Sequence, residues 1–255
     1  MPIHFHVDQT EFMMKSFKND GQIKTEKKSK WKKALGDIQS VAGYDKFSSP
    51  LSQLRLLAKL WSMKNRIKSS LDVLMHVHGH QIFIDGVFNG DPHPGNILQL
   101  DDGRLGLIDY GQVKRLDTDD RLALSKLFLV FEKGIEEERH GKIANALRDL
   151  GFRTQRDRTD VIASLGILFF DTNALCRKAG YLNPQEYFKD LNALDPIVSV
   201  PEKAVMVVRT CLLLRGMGSL LQTEVRASEF WAVHAKKALQ KEKEKSEKNR
   251  KTNTV

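Results

Sequence analysis

The apolar positions of the chain follow a clear periodic pattern from Leu71 onward. One helical face, with apolar positions spaced i, i+3, i+4 and i+7, is formed by Leu71, Leu74, Met75 and His78. We expect this helix to end near Gly79. A shorter helical stripe lies within residues 51–61, and the rest of residues 1–70 is lysine-rich and has no regular pattern. The pattern therefore becomes clearer from Leu71 onward.

Two short apolar runs around Asp102-Gly103 predict a β-hairpin. The runs are residues 97–100 and 104–108, and Asp-Gly tolerates the positive φ angles of a tight turn. Another apolar run, residues 81–88, leads into a polar loop that contains two prolines. The hairpin and the loop are thus expected to be neighbours in the fold.

After residue 111 the pattern is helical. Thr118 can cap a helix that stops at Gly134, and a second helix stops at Gly151. Three more helices are indicated within residues 161–170, residues 205–221 and the stretch around Phe230, Trp231 and Val233. The predicted fold class is mainly α, or α+β, with a helical bundle and one small β-hairpin. Arg209 and Arg215 interrupt residues 205–221, which favours a buried helix over a membrane span.

Charge and cysteine content narrow the possible functions. The net charge is +9, and residues 236–251 hold eight basic and three acidic residues, a net of +5. Such a run is typical of a solvated helix end or a disordered tail. The chain has no cysteine and histidine spacing typical of a zinc finger, and no aromatic residues lie within the basic run. We therefore expect no nucleic-acid partner. We do expect weak contact of the basic run with a lipid or membrane surface. Two cysteines, Cys176 and Cys211, are too few for a disulfide framework.

The candidate catalytic and metal-binding residues lie between Asp91 and Gly111. Asp91 is followed by Asn96 five residues later, and Asp109, in Asp-Tyr-Gly, follows across the hairpin. Phosphoryl transfer needs a carboxylate to orient the nucleophile, which suits Asp91 as the catalytic residue. It also needs hard oxygen ligands for Mg²⁺ beside the nucleotide phosphates, which suits Asn96 and Asp109 as metal and cofactor ligands. Gly111 lets the backbone turn after Asp109 and completes the cofactor-binding set.

Each of these pieces is weak alone, because Asp and Asn in loops commonly cap turns. Their combination is more specific: an acidic loop, an Asn at the fifth place, a hairpin, Asp-aromatic-Gly and then helices. His93, between two prolines, is interpreted as a hydrogen-bonded loop residue rather than a metal ligand.

The motif DPHPGN at residues 91–96, together with Asp109-Tyr110-Gly111, resembles the UbiB-type (aarF-domain) atypical kinases. The resemblance covers about residues 71–235. It implies a protein-kinase-like C-lobe that binds ATP with Mg²⁺, with Asp91 as catalytic aspartate and Asn96 and Asp109 as metal ligands. It also implies a role in coenzyme Q or other prenyl-lipid metabolism, and a place in the mitochondrion or plastid, which the sequence itself does not specify.

The chain departs from that family in two places. The family's loop usually opens with His-Ala-Asp, whereas here it reads Asn89-Gly90-Asp91. Residues 1–70 contain none of the motifs of the family's N-lobe, which leads us to expect a truncated or replaced N-lobe and an inactive chain. The predicted organisation is a basic N-terminal segment over residues 1–70, a kinase-like C-lobe over 71–235, and a charged, disordered tail over 236–255.

Three functional hypotheses follow from the sequence. The first is an ATP- and Mg²⁺-dependent atypical kinase or ATPase of the UbiB type. The second is a small-molecule kinase of the aminoglycoside or choline type, whose Gly-Asp-x-His-x-x-Asn loop is also satisfied by residues 90–96. The third is a non-catalytic helical scaffold that binds a protein partner or a lipid.

Overall fold

A computed structural model describes residues 50–252, apart from residue 101 and residues 221–222. The helices within this part of the chain are α1 (Pro50–His80), α2 (Thr118–Glu132), α3 (His140–Leu150), α4 (Thr159–Gly166), α5 (Ala174–Lys178), α6 (Pro184–Leu194), α7 (Glu202–Leu220) and α8 (Ala227–Thr252). The strands are β1 (Val87–Asn89), β2 (Ile97–Gln99), β3 (Leu105–Leu107), β4 (Val113–Arg115), β5 (Arg153–Thr154) and β6 (Ile197–Ser199). The mainly helical class is confirmed. The first 49 residues of the predicted basic N-terminal segment, 1–70, lie outside the described residues.

The first long helix, α1, crosses the predicted boundary between residues 70 and 71 without a break. The boundary nevertheless coincides with a change in burial. Before it, Leu54 and Trp61 are exposed, whereas the four residues of the predicted apolar face are all buried: Leu71, Leu74, Met75 and His78. The His78 ring lies 2.8 Å from the main-chain oxygen of Leu74, so part of its polarity is satisfied inside the helix.

The single predicted hairpin is correct but is not the only β structure. Strands β2 and β3 pair antiparallel with Ile97 opposite Leu107. Strand β1 pairs with β4, and β5 pairs with β6, which gives three two-stranded sheets among the described residues. The sequence did not predict the other two pairs because each joins strands of two or three residues that are separated by other elements, and so small a run has no periodic pattern.

The core lies where α2 and α8 pack over the end of α1. Its centre is aromatic: the Phe128 ring lies 5.4 Å from Phe83 and 5.1 Å from Trp231, measured between ring centroids. The Trp231 indole N–H donates to the main-chain oxygen of Met75 at 2.8 Å. This bond fixes α8 against α1, because a buried indole needs a hydrogen-bond acceptor.

Helix α2 lies where the sequence predicts a helix, but a different residue caps it. The side chain of Asp117, rather than that of Thr118, accepts from the N–H of Asp120 and caps that helix. Helix α3 ends as predicted at Gly151, whose φ of 101° is in the left-handed region that glycine adopts without strain. The predicted helix over residues 161–170 is α4, continued by a wider turn over Ile167–Asp171.

The basic C-terminal run is helical rather than disordered through Thr252. Two features support this helix: a buried start and favourable spacing of opposite charges after it. Trp231 and Ala235 anchor it in the core, and Glu244 and Glu247 each precede a lysine by four residues, a spacing at which opposite charges attract. The charged residues remain solvated, as the composition indicates.

Two buried carboxylates hold loops between the helices. Asp171, at the end of the wide turn after α4, binds the Arg226 guanidinium at 3.0 Å and accepts from the N–H of Ser228. Asp195, after α6, accepts from Thr154 and from the N–H groups of Arg156 and Arg158. No helix in the described part of the chain is long and apolar enough to cross a membrane.

Candidate functional site

The loop that carries Asp91 leaves strand β1 and lies against strand β4. Asn89 is the last residue of β1 and faces Val113 across the pair. The next residue, Gly90, extends this pairing, because its N–H donates to the main-chain oxygen of Gln112 at 2.9 Å. The loop therefore begins beside the segment that follows Asp109.

Asn89 joins the two acidic segments directly. Its buried carboxamide donates to the main-chain oxygen of Asp109 at 2.8 Å, and the carboxamide oxygen accepts from the N–H of Asp91 at 2.9 Å. A single side-chain amide group thus bridges the main chains at Asp91 and Asp109. This contact brings the two acidic segments of the chain together.

Asn96 is joined to the Asp109 segment through the hairpin. It ends a single turn of 3₁₀ helix over Pro94–Asn96, and its main-chain oxygen accepts from the N–H of Ile108 at 3.1 Å. Asn96 is therefore bonded to the residue that precedes Asp109. His93 behaves as the sequence predicts for a loop residue, because its ring nitrogen accepts from the N–H of Gly95 at 3.1 Å.

Asp109 and Gly111 form a local turn. One carboxylate oxygen of Asp109 accepts from the N–H of Gly111 at 2.7 Å, and a Cβ added at Gly111 would lie 3.1 Å from that oxygen. The turn orients the Asp109 carboxylate, which is solvent-exposed. Gly111 therefore allows a close approach of backbone to carboxylate that a larger residue would crowd.

Asp91 is held in a different way, with both carboxylate oxygens occupied. One oxygen forms an ion pair with the Arg209 guanidinium at 3.1 Å, and the other lies 3.3 Å from the side-chain amide of Gln112. Only 24% of the Asp91 side chain and 21% of the Arg209 side chain remain accessible, so this pair is partly desolvated. Such pairs are screened less by solvent than exposed ones.

The oxygens of Asn96 and Asp109 suit a magnesium ion. Within the described residues, the Asn96 side chain forms no hydrogen bond, and the second carboxylate oxygen of Asp109 has no partner. Carboxylate and amide oxygens are hard ligands of the kind that Mg²⁺ prefers, with water and phosphate completing its coordination. The described residues hold no cluster of three or more His, Cys, Asp or Glu side chains arranged for a metal. Asn96 and Asp109 could supply two ligands.

Sequence reasoning missed three residues of this site: Asn89, Gln112 and Arg209. In the sequence, Asn89 stands out only as a departure from the family's loop. Its position directly before Gly90-Asp91 is the local signal that could have indicated a part in the site. Gln112 follows Gly111 and could have been suspected from proximity. Arg209 lies on α7, far along the chain, and no spacing rule connects it to Asp91.

Comparison with known families identifies part of this chain. Residues 50–138, which include the loop, the hairpin and the Asp-Tyr-Gly segment, match the ABC1 atypical kinase-like domain. This confirms the resemblance that the sequence indicates, since that domain is of the UbiB or aarF type. Residues 50–138 are therefore similar to the ABC1 atypical kinase-like domain.

Curated relatives extend the similarity. Over 62 residues the chain is 47% identical to the uncharacterized protein slr0889 of Synechocystis sp.. Over 162 residues it is 26% identical to Protein ACTIVITY OF BC1 COMPLEX KINASE 1, chloroplastic, of Arabidopsis thaliana. These matches cover 24% and 62% of this chain. They cover 15% and 23% of the two relatives, so the chain spans less than a quarter of either. No solved structure matches the chain.

Proposed function

We propose that residues 71–235 form the helical C-lobe of a kinase-like domain and carry the catalytic and metal-binding half of a phosphoryl-transfer site. The observation that supports this most directly is the Asn89 carboxamide, which bonds to both Asp91 and Asp109. A carboxylate for the nucleophile and a carboxylate for the metal must lie side by side in such a site. The ABC1 match covers the segment that contains Asp91 and Asp109 and so supports this proposal.

Within this proposal the two carboxylates have separate tasks. Asp91 orients the attacking hydroxyl or water and accepts its proton, while Gln112 and Arg209 hold its side chain in place. Asn96 and Asp109 would hold a magnesium ion, which neutralises negative charge on the phosphates of ATP. The turn at Gly111 holds one carboxylate oxygen of Asp109, and the other oxygen would be the metal ligand.

Binding of Mn²⁺, measured by water-proton relaxation, tests the proposal. Wild type should bind Mn²⁺, and Asp109→Asn should weaken binding by about tenfold or more, because a charged ligand is lost. Asp102→Asn is the matched control: Asp102 is exposed at the hairpin tip, where it pairs with Arg104, and its loss should leave Mn²⁺ binding unchanged. Equal affinities in wild type and Asp109→Asn would contradict the proposed metal site.

For the biological role we propose participation in coenzyme Q or other prenyl-lipid metabolism, in a mitochondrion or plastid, with contact to a lipid surface. The proposal rests on the family resemblance, and the printed name of the Arabidopsis relative includes the word chloroplastic. In cells that lack this protein, prenyl-quinone content should be restored by this chain fused to a family-type N-lobe, which the sequence leads us to expect it needs, but not by the same fusion with Asp109→Asn. Full restoration by Asp109→Asn would instead favour the non-catalytic scaffold.

The match to the ABC1 domain favours this proposal over a small-molecule kinase of the aminoglycoside or choline type. The loop residues alone satisfy both classes. A chain that phosphorylates choline or an aminoglycoside, with loss of activity in Asp91→Asn, would restore the second hypothesis.

A further inference from the structure

We propose that Arg209 keeps Asp91 out of the metal site and so reserves this carboxylate for the nucleophile. The inference rests on the proposed phosphoryl-transfer site and adds a positioning residue to it. The Asn89 carboxamide bonds to the main chain of both Asp91 and Asp109, yet the carboxylates of these two residues are to serve different purposes. The positively charged side chain of Arg209, paired with Asp91, would keep the two roles apart.

The position of Arg209 follows from how the Asp91 loop packs on α7. A Cβ added at Gly90 would lie 2.7 Å from the terminal methyl of Met206, so the loop backbone rests against this helix. Arg209 lies three residues beyond Met206 and therefore on the same face. Its guanidinium meets the Asp91 carboxylate at 3.1 Å.

The two carboxylates differ in what occupies them. Arg209 and Gln112 engage both oxygens of Asp91, whereas within the described residues one oxygen of Asp109 is left open. A divalent cation is bound more tightly when another carboxylate lies near its site, because each added negative charge attracts it. Without the guanidinium, Asp91 would be a third, negatively charged ligand beside Asn96 and Asp109.

Mn²⁺ affinity in four variants tests this role without relying on catalysis. Arg209→Met keeps much of the side-chain volume and removes the charge, and it should tighten Mn²⁺ binding on the order of tenfold. Adding Asp91→Asn to Arg209→Met should cancel this gain. Asp91→Asn alone should leave the affinity of wild type almost unchanged, because Arg209 already occupies that carboxylate.

Lys114→Met controls for the loss of one positive charge near the site. Lys114 lies on β4, its Cγ would be 3.9 Å from a Cβ added at Gly90, and no bond joins it to Asp91 in the described structure. Its removal should tighten Mn²⁺ binding much less than Arg209→Met does. Arg209→Lys, which retains the charge, should bind Mn²⁺ nearly as wild type does.

The outcomes separate this inference from the proposed function. If Asp109→Asn weakens binding but Arg209→Met has no effect, or no more effect than Lys114→Met, the role of Arg209 is overturned and the metal site stands. A loss of affinity in Asp91→Asn alone would also overturn it, and this result does not depend on whether Arg209→Met folds. If Asp109→Asn changes nothing, or if no variant binds Mn²⁺, the proposed function fails and the inference fails with it.

Discussion

Asn89 and Asp109 are joined by a hydrogen bond in which the Asn89 side-chain amide donates to the Asp109 main-chain oxygen at 2.8 Å. The same carboxamide accepts from the N–H of Asp91, and only 2% of Asn89 is accessible to solvent. A neutral, two-sided polar group is required here, because one segment presents a donor and the other an acceptor. The arrangement of the site therefore depends on a residue that would itself take no part in the chemistry.

Replacing Asn89 should destabilise the protein and loosen the site together. Asn89→Leu leaves the Asp91 N–H and the Asp109 oxygen unpaired, and buried polar groups without partners cost about 1–3 kcal/mol each. Chemical denaturation should show this loss in the free energy of unfolding, and Mn²⁺ affinity should fall with it. Asn145→Ala, which removes only an exposed hydrogen bond from Arg148 on α3, is the control: it should change stability much less and leave Mn²⁺ affinity unchanged. Wild-type stability in Asn89→Leu would mean that the bridge contributes little.

Asp195 should make stability depend on acid pH. Burial raises the pKa of its carboxyl, but bonds from Thr154 and from the N–H groups of Arg156 and Arg158 outweigh burial, and the pKa is lower than its usual 3.8. A carboxyl with a lowered pKa stabilises the fold above its unfolded pKa, and that contribution is lost as the pH falls through the folded value. The free energy of unfolding should thus decline below pH 3.8.

Asp195→Asn tests this assignment. The variant should lose about 1.5–3 kcal/mol at neutral pH, the range for hydrogen bonds to a charged group. The difference from wild type should shrink in acid, where the wild-type carboxyl is protonated as well. Asp149→Asn, at an exposed position, should stay parallel to wild type at every pH. A constant difference between Asp195→Asn and wild type would contradict the proposed linkage.

His234 should titrate unusually low. Its pKa falls from 6.5 to about 4 because it is partly buried and faces His76, His80 and Lys237 between α1 and α8. The unfolded chain then binds a proton at higher pH than the folded chain does, so stability should decrease as the pH falls from 6.5 toward 4. His234→Gln should flatten this part of the stability profile.

The titration can be followed directly by NMR of the His234 ring. Lys237→Gln removes one of the positive charges that disfavour protonation, so the pKa of His234 should be higher in this variant than in wild type. Titration of wild-type His234 at its usual 6.5 would mean that the histidines do not face one another as described.

Two glycines should respond to alanine with opposite signs. A Cβ added at Gly166 would lie 2.2 Å from a methyl carbon of Leu147, where α4 crosses α3, so Gly166→Ala should overpack the core and cost about 1–3 kcal/mol. Gly141, near the start of α3, has nothing within 4 Å of an added Cβ. Gly141→Ala should stabilise the helix by about 0.5–1 kcal/mol, measured by thermal or chemical unfolding. A stable Gly166→Ala would show that the two helices can move apart.

Local sequence determined the elements that depend on neighbouring residues. The face from Leu71 to His78, the turn at Gly103 and the end of α3 at Gly151 were all predictable, because periodicity and backbone freedom are encoded within a few residues. The spacing of Asp91, Asn96 and Asp109 also identified the ABC1 segment. Their chemical roles stay a prediction that the Mn²⁺ experiments test.

The tertiary structure alone decided which distant groups meet. The β1–β4 pair joins strands too short to have a pattern, and only this pairing sets the loop of Asp91 beside the turn of Asp109. Arg209 reaches Asp91 because α7 packs under Gly90, a contact that no local spacing encodes. Helix formation is governed by residues three and four apart, whereas an ion pair between remote elements depends on how the whole core packs.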